Sequence, residues 1–207
     1  MGSSGALCAA VYGRYGKNPE IENLSSLHDK FIQMESFFHG KSSGFDPLTI
    51  FLQKSILLDK NGKAIMGGIS PQKNDGKLDI MLINSGIPRP KNPYVQQFLY
   101  RFAPEGKLTK QADRFIDLTD RCIDSYYRDP VTEIWQNVSK LSAFQIAQMV
   151  HLIPEKLHPL WKEGLQSGLF ALKLCGSGGG GYFTCFTQDK VAVSDFFSNH
   201  NIQMVAL

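Results

Sequence analysis

The stretch Lys173-Leu-Cys-Gly-Ser-Gly-Gly-Gly-Gly-Tyr182 limits the possible local structure more than any other part of this 207-residue sequence. Consecutive glycines cost backbone entropy on folding, so a hairpin that serves only the core has no need of them. Strand-like runs, Phe170–Leu174 and Tyr182–Phe186, flank the segment. The pattern predicts a hairpin whose loop backbone approaches a ligand closely, and a mobile loop is the alternative.

A second segment rich in glycine and serine, Gly2-Ser3-Ser4-Gly5-Ala6, opens the chain and precedes a helix predicted from Gly5 to about Tyr15. A helix N-terminus offers unpaired N–H groups and the positive end of the helix dipole, and both favour phosphate. Serine hydroxyls can contact a phosphate oxygen or a magnesium ion. The segment lacks the Gly-Lys-Ser/Thr of a Walker A loop. A flexible terminus or a plain serine cap would also explain it.

An acidic motif, Glu35-Ser-Phe-Phe-His39-Gly-Lys-Ser-Ser43-Gly-Phe-Asp46-Pro47, lies between the two glycine-rich segments. Glu35 and His39 share one face of a helix predicted from Ser25 to about Phe38. One carboxylate of the motif can bind Mg²⁺, and the other can orient or deprotonate a hydroxyl nucleophile. The simpler alternatives are a solvated helix face for Glu35, a packed histidine at position 39, and an N-cap for Asp46.

The composition is that of an ordinary globular protein, with 43% hydrophobic and 20% charged residues and a net charge of +3. Basic residues do not form a run interleaved with aromatics, which argues against a nucleic-acid interface. The sequence has no apolar run long enough to span a bilayer and no signal-peptide pattern. The cysteines lack zinc-ligand spacing, so reduced thiols in a cytoplasmic protein are expected. They are Cys8, Cys122, Cys175 and Cys185.

Helical and strand-like runs are mixed without a regular βαβ alternation, which favours an α+β fold. A natural division falls near residues 85–92. The aromatic residues Phe31, Phe37, Phe38, Trp135 and Trp161 are predicted to pack in the core. The predicted strands are Ser55–Leu58, Ala64–Ile69, Leu78–Ile83 and Ile202–Val205, with a turn at Lys60-Asn-Gly62. Further helices are predicted at Tyr94–Phe102, Thr109–Tyr127, Val131–Met149, Pro154–Gly164 and Val191–Asn199.

In this order the motifs resemble those of the GHMP kinases, the superfamily of galactokinase, homoserine kinase, mevalonate kinase and phosphomevalonate kinase. The segment from Gly2 is similar to their second motif, a Gly-Leu-Gly-Ser-Ser-Ala-like loop. Lys173–Gly181 is similar to their third motif. The glutamate at position 35, four residues before the stretch His39–Asp46, forms a pattern similar to that of mevalonate kinases in particular. The resemblance is strongest to the bacterial type.

The resemblance implies a two-domain α+β fold. Residues 1–88 would be the C-terminal portion of the ATP-binding domain, which is S5-like, and residues 89–207 a ferredoxin-like C-terminal domain. It implies ATP and Mg²⁺ as cofactors and transfer of the γ-phosphoryl group to mevalonate in isoprenoid precursor synthesis. The expected partner is a small-molecule substrate, with no nucleic acid and no membrane, and a homodimer is left open.

The resemblance also implies a role for each matching residue. Asp46 would be the catalytic carboxylate, and Glu35 and Ser4 would bind Mg²⁺. His39, Ser43 and Ser177 would face the acceptor substrate. The residues expected to hold the nucleotide phosphates are Gly2, Ser3, Ser4, Gly5, Gly176, Ser177, Gly178 and Gly179.

One departure concerns the first motif of the superfamily, which supplies a lysine near the transferred phosphate and would lie before Met1. On this ground the 207-residue chain is expected to be inactive or nearly so. Two other functions stay open. One is a GHMP kinase with a sugar or phosphomevalonate acceptor, and the other is a noncatalytic remnant that binds nucleotide or a partner chain.

Overall fold

Helices and strands form where the periodicity of the sequence predicts them, and most of their bounds agree within three residues. The structure, a computed structural model, describes residues 3–17, 23–58, 64–66, 78–88, 94–103, 105, 109–128 and 131–206. The helices are α1 Ser3–Tyr15, α2 Leu24–His39, α3 Phe45–Leu52, α4 Tyr94–Phe102, α5 Thr109–Arg128, α6 Val131–Gln148, α7 Leu157–Ser167 and α8 Lys190–Asn199. The strands are β1 Ile56–Leu58, β2 Ala64–Met66, β3 Asp79–Asn84, β4 Phe170–Leu174, β5 Tyr182–Thr187 and β6 Gln203–Ala206.

Contacts within the chain divide it into a first unit, residues 1–71, and a second unit, residues 72–207. This division precedes β3, because β3 pairs with β5 and β6 in the sheet of the second unit. The sequence-based boundary between residues 88 and 89 follows β3 instead. No helix within the described ranges is both long enough and apolar enough to cross a membrane.

The first unit packs α1, α2 and α3 around a small apolar core. Helix α2 begins after Asn23, whose side-chain oxygen accepts the Ser26 N–H at 2.8 Å and so caps the helix. The aromatic ring of Tyr12 meets that of Phe31 edge-on, with ring centroids 5.3 Å apart. The buried core residues of this unit are Cys8, Tyr12, Leu27, Phe31 and Leu48.

The apolar stripe of α2 is only partly buried. Phe31 is fully buried, as predicted, but Phe37 is 86% and Phe38 49% exposed, so the prediction that these two belong to the core is wrong. Phe37 lies six residues from Phe31 and, at 3.6 residues per turn, points away from it. Phe37 and Phe38 both line a surface groove of about 310 Å³ beside Leu7 and Val11 of α1.

Strands β1 and β2 form an antiparallel hairpin in which Leu57 pairs with Ile65. The predicted hairpin is therefore confirmed in its strands. Its turn, Lys60-Asn-Gly62, and the predicted continuation of β2 over residues 67–69 lie outside the described residues.

The second unit is built on an antiparallel sheet in the order β4-β5-β3-β6. Along the chain, β3 is followed by α4 to α7, then by the β4–β5 hairpin, α8 and β6. This is the strand–helix–strand–strand–helix–strand order of a ferredoxin-like domain, with the helical segment between β3 and β4 expanded. The α+β class and the ferredoxin-like character predicted for the C-terminal part are confirmed.

Both tryptophans pack in the second unit, as predicted. Trp161 is fully buried, and its Nε1–H donates to Ser142 Oγ at 2.8 Å, which satisfies the indole donor. Trp135 is half-buried and packs on a smaller cluster that includes Ile134 and Phe186. These contacts hold α6 and α7 against the sheet that carries the glycine-rich hairpin.

None of the four cysteines is in a disulfide; Cys8 and Cys185 are buried, and Cys122 and Cys175 are partly exposed. Burial raises the pKa of Cys185 to about 12. Burial also raises the pKa of Cys122 to about 11, although the nearby Lys173 charge acts in the opposite direction. The thiolate of Cys185 is therefore disfavoured in the folded state relative to the unfolded state, where the pKa is near the ordinary value of 9.0.

This shift predicts a loss of stability in alkali. Because the pKa of Cys185 is raised in the folded state, its contribution to the free energy of unfolding is fully present below pH 9. This contribution declines as the pH rises from 9.0 towards about 12. Between about pH 8 and about pH 10.5, the free energy of unfolding should fall by about 2 kcal/mol more in the wild type than in Cys185→Ala. Urea unfolding of both proteins at the two pH values measures this difference. Equal losses in the two proteins would contradict the prediction.

Candidate functional site

A cluster of serine hydroxyls surrounds the Glu35 carboxylate in the first unit. Ser4 Oγ donates to Glu35 Oε1 at 3.1 Å, and Ser42 Oγ donates to Glu35 Oε2. Glu35 is only 6% exposed, so it does not lie on a solvated helix face and that alternative is wrong. Because a buried carboxylate needs hydrogen-bond donors or a cation, the two serines account for its burial. We refer to Ser4, Glu35 and Ser42 as the serine–carboxylate cluster.

The loop after α2 brings Ser42 back to Glu35. Gly40 ends the helix with φ of 74°, and its N–H donates to Ser36 O at 2.7 Å. Gly44 also has a positive φ, 70°, and a Cβ there would lie 2.8 Å from the backbone N of Ile32. The loop lies so close to α2 that only glycine fits at position 44. The Gly/Ser loop therefore folds back towards Glu35.

Asp46 lies in the first turn of α3, and it is not the N-cap. The helix begins at Phe45 after Gly44, so the N-cap alternative for Asp46 is wrong and Pro47 is the third helical residue. Gly5 of α1 packs directly against this turn, because a Cβ on Gly5 would lie 2.8 Å from Asp46 Cβ and 3.0 Å from the Pro47 nitrogen. Asp46 is thus fixed beside the N-terminal turn of α1, and its side chain is exposed.

Helix α1 begins earlier than predicted. Ser3 and Ser4 belong to its first turn, whereas the sequence placed them in a loop before the helix. The first-turn N–H groups of a helix lack intrahelical partners, so the predicted phosphate-binding character of this segment now falls on Ser3, Ser4 and Gly5 together. Gly2 lies outside the described residues.

Ser43 and His39 are the two residues of this unit that were expected to face the acceptor substrate. Ser43 is exposed, and its carbonyl oxygen accepts a 2.7 Å hydrogen bond from His28 Nε2. The His39 side chain lies outside the described residues. Sequence analysis missed His28, although its position seven residues before Glu35 puts both side chains on the same face of α2. His28 is nearly buried and stacks on Phe45, so it holds the loop against α2.

The serine–carboxylate cluster has the chemistry of a Mg²⁺ site. Ser4 Oγ and Glu35 Oε1 are 3.1 Å apart, so both hard oxygens could contact one ion. Mg²⁺ is typically held by one or two carboxylates, with water and substrate phosphates completing its shell. Among the described residues no group of three or more His, Cys, Asp or Glu side chains is placed to hold a metal.

The charge of Glu35 affects the pKa of a residue on α1. Burial first, and the Glu35 charge second, raise the pKa of the Cys8 thiol. Cys8 lies one helical turn after Ser4, so the same carboxylate acts on the first two turns of α1. A cation at this place would offset a negative charge that already disfavours a nearby thiolate.

Glu35→Gln should therefore raise the Mg²⁺ concentration needed for half-maximal nucleotide binding by about tenfold, because one carboxylate–metal contact is lost. The amide oxygen can still accept a hydrogen bond from one of the two serines, and the amide NH₂ can donate to the hydroxyl oxygen of the other, so the fold should persist. Titration of Mg²⁺ at fixed ATP, followed by calorimetry, measures the shift. Asp29→Asn, which neutralises an exposed carboxylate on the same helix, is the matched control. An unchanged requirement in Glu35→Gln would remove this residue from the metal shell.

The glycine-rich loop of the second unit joins β4 to β5 and is held by backbone hydrogen bonds. Gly179 N–H donates to Leu152 O at 2.6 Å, and Gly181 N–H donates to Ile87 O at 2.8 Å. A Cβ on Gly180 would lie 2.5 Å from Ile87 O. At these glycines the loop backbone therefore lies close to carbonyl groups of the chain itself, and the predicted close approach is not to a ligand there.

The beginning of the loop has different surroundings. Gly176 and Ser177 line a cavity of about 390 Å³ within the second unit. Gly178 and Gly179 have φ of 74° and 79°, and added side chains there would collide with Leu152 and Tyr94. Of the predicted phosphate-loop residues, Gly176 and Ser177 thus face open space, whereas the Gly179 N–H is already engaged.

The overall architecture is similar to the crystal structure of L. major mevalonate kinase in complex with R-mevalonate, with a TM-score of 0.68 and 15% sequence identity. The alignment covers 99% of this chain and 65% of that chain. No protein-family profile and no curated protein matches the sequence. At this identity the similarity establishes an α+β, mevalonate kinase-like fold over nearly the whole chain, which spans about two thirds of its structural neighbour.

Proposed function

We propose that the chain is a GHMP-type small-molecule kinase that transfers the γ-phosphoryl group of ATP to a hydroxyl group, with mevalonate as the acceptor. The observation that carries the proposal is local to the first unit. The serine–carboxylate cluster and Asp46 both adjoin the N-terminal turn of α1, through the 3.1 Å hydrogen bond from Ser4 and the packing of Gly5. A phosphate-binding helix end, a metal-binding carboxylate and a second, exposed carboxylate are the parts that phosphoryl transfer needs.

The proposed roles follow from these positions. First-turn N–H groups of α1 and the Ser3 and Ser4 hydroxyls bind the nucleotide phosphates. Glu35 and Ser4 hold Mg²⁺, which would neutralise phosphate charge when bound. Asp46 orients the acceptor hydroxyl and accepts its proton. Because little covalent chemistry falls to the protein, positioning and charge neutralisation carry the rate enhancement.

The structural neighbour supports the choice of acceptor, because the crystal structure of that protein contains R-mevalonate. In this proposal the first unit belongs to the ATP-binding domain and the second unit, whose sheet includes β3, is the C-terminal domain, so the boundary lies before β3 and not between residues 88 and 89. The protein would act on a small molecule in the cytoplasm, in isoprenoid precursor synthesis.

ADP release from MgATP, measured with and without mevalonate, tests the proposal. Release that depends on mevalonate and disappears in Asp46→Ala supports it. Mevalonate-independent release, or release that persists in Asp46→Ala, would contradict it. Galactose and phosphomevalonate in place of mevalonate distinguish the other acceptors of the superfamily.

A noncatalytic nucleotide-binding protein is the second candidate, and specific contacts favour it. Both oxygens of Glu35 already accept serine hydroxyls, and the N–H groups of Gly179 and Gly181 donate within the chain. Such a satisfied network can hold structure without chemistry. ATP binding by calorimetry, with no ADP release for any acceptor, would favour this candidate over the kinase.

A further inference from the structure

The cavity beside the glycine-rich loop has an apolar wall and a polar end; we call it the hairpin cavity. Its volume of about 390 Å³ lies within the range of about 300–1,000 Å³ that ligand pockets occupy. Its apolar wall combines aromatic and aliphatic side chains from α4, α5, the turn that follows α6, and β4, which suits a hydrocarbon body. These side chains are Tyr94, Phe98, Phe115, Met149, Leu152 and Leu174.

The polar end of the hairpin cavity offers hydrogen-bond donors. Gln145 is 3% exposed, and its Oε1 accepts the Leu174 N–H at 3.0 Å, so its side-chain NH₂ is the group left for the cavity. Lys173 Nζ donates to Leu174 O at 3.0 Å, which uses one of its three N–H donors. Ser177 adds a hydroxyl. All three side chains can donate, so a ligand group that carries hydrogen-bond acceptors suits this end.

The charge of Lys173 lies beside an apolar cavity and is only half-buried. Within the described part of the chain, Lys173 forms no ion pair with a carboxylate. The Cys122 thiol, whose anion the Lys173 charge would favour, is kept neutral at physiological pH because burial raises its pKa to about 11. A half-buried ammonium at the edge of an apolar cavity is most favourable when an anion completes it.

We infer that the hairpin cavity binds an amphiphilic monoanion, with a medium-length apolar body on the aromatic wall and one carboxylate at Lys173, the Gln145 amide and Ser177. The single ammonium matches one negative charge. The inference goes beyond the proposed kinase function, because it requires neither ATP nor phosphoryl transfer.

Titration of the ¹⁵N-labelled 207-residue chain with octanoate, without nucleotide, tests this site by NMR. We expect saturable shifts at Gly176, Ser177 and Leu174, with affinity about tenfold higher than for 1-octanol, because the carboxylate accepts charge-assisted hydrogen bonds. Hexanoate should bind about tenfold more weakly than octanoate, because two methylene groups are lost from the apolar contact.

Lys173→Met should remove the advantage of octanoate over 1-octanol and leave 1-octanol binding unchanged. Lys162→Met, which removes an exposed charge from α7 of the same unit, is the matched control and should bind both ligands like the wild type. Phe98→Ala should weaken both ligands, because the apolar wall loses a ring. A wild-type-like spectrum of each free variant establishes that it is folded.

The inference fails if octanoate and 1-octanol bind equally to the wild type, if Lys173→Met retains the preference, or if the shifts lie away from the hairpin cavity. Because no nucleotide is present, these results do not depend on whether the chain is a kinase. If octanoate binds as expected but no ADP is released with MgATP and mevalonate, only the proposed function is overturned. If ADP is released but octanoate does not bind in the hairpin cavity, only the inferred site is overturned.

Discussion

Replacing Asp46 by alanine is expected to lower turnover about 10³-fold while ATP affinity stays within about twofold, in any form of the protein that phosphorylates mevalonate. Asp46 is exposed at the first turn of α3, whereas the serine–carboxylate cluster is held by the hydrogen bonds that Ser4 and Ser42 donate to Glu35. Its removal should therefore affect the reacting hydroxyl and spare nucleotide binding. Steady-state kinetics and calorimetric ATP titration measure the two quantities separately.

Two further variants sharpen this prediction. Asp46→Asn keeps the shape of the side chain but cannot accept a proton, so it should lose nearly as much turnover as the alanine variant. Asp29→Ala removes an exposed carboxylate from α2 of the same unit and should leave both quantities unchanged. A parallel loss of turnover and ATP affinity in Asp46→Ala would instead place this carboxylate in nucleotide binding.

Gly5→Ala is expected to destabilise the first unit by about 1–3 kcal/mol and to lower turnover about 10²-fold. The added Cβ would lie 2.8 Å from Asp46 Cβ, 3.0 Å from the Pro47 nitrogen and 3.1 Å from the Asp46 carbonyl carbon. Two of these atoms belong to the backbone, so α3 must shift and carry Asp46 with it. Thermal unfolding and ADP release measure the two effects.

Gly13→Ala on the same helix is the matched control. Its Cβ would lie 3.5 Å from the Phe51 ring, an ordinary van der Waals contact. Because alanine favours the helix over glycine, Gly13→Ala should stabilise the protein by about 0.5–1 kcal/mol and leave turnover unchanged. Equal stability changes in the two variants would mean that α1 and α3 are not packed as closely as the structure has them.

The Gly5 contact also explains why resemblance alone was a poor guide at this position. The Gly-Leu-Gly-Ser-Ser-Ala-like loop that the segment from Gly2 resembles has alanine where this chain has Gly5. Only the distance between α1 and α3 shows that a methyl group has no room in this chain. Sequence gives the residue type, but the spacing of two packed helices depends on every side chain between them.

Periodicity predicted most of the elements because their apolar patterns are strong and local. Tyr94–Phe102 and Phe170–Leu174 have the predicted bounds. It was less successful where tertiary packing decides burial. Phe38 continues the apolar face of α2 but lies 49% exposed, because it borders a surface groove instead of the core. A helical pattern states which residues share a face, and it does not state how far along the helix that face is covered.

The candidate site was predictable in its residue types and less so in its contacts. The Glu35 carboxylate followed from the acidic motif that it shares with His39 and Asp46. Ser42 and His28 did not, because each acts through a hydrogen bond across the loop that no local pattern marks. In the β4–β5 hairpin, the glycines predicted that the loop backbone lies close to another group. The sequence did not show that this group is the Leu152 carbonyl and not a ligand.

That carbonyl has a consequence for the thermodynamics of ligand binding. A run of four glycines would normally lose much conformational entropy when a ligand orders it, and affinity would fall accordingly. Here the amides of Gly179 and Gly181 are already anchored to Leu152 and Ile87. The ordering cost is therefore borne during folding, and the loop is preorganised in the free protein. Hydrogen exchange at these two amides should accordingly be slow before any ligand is added.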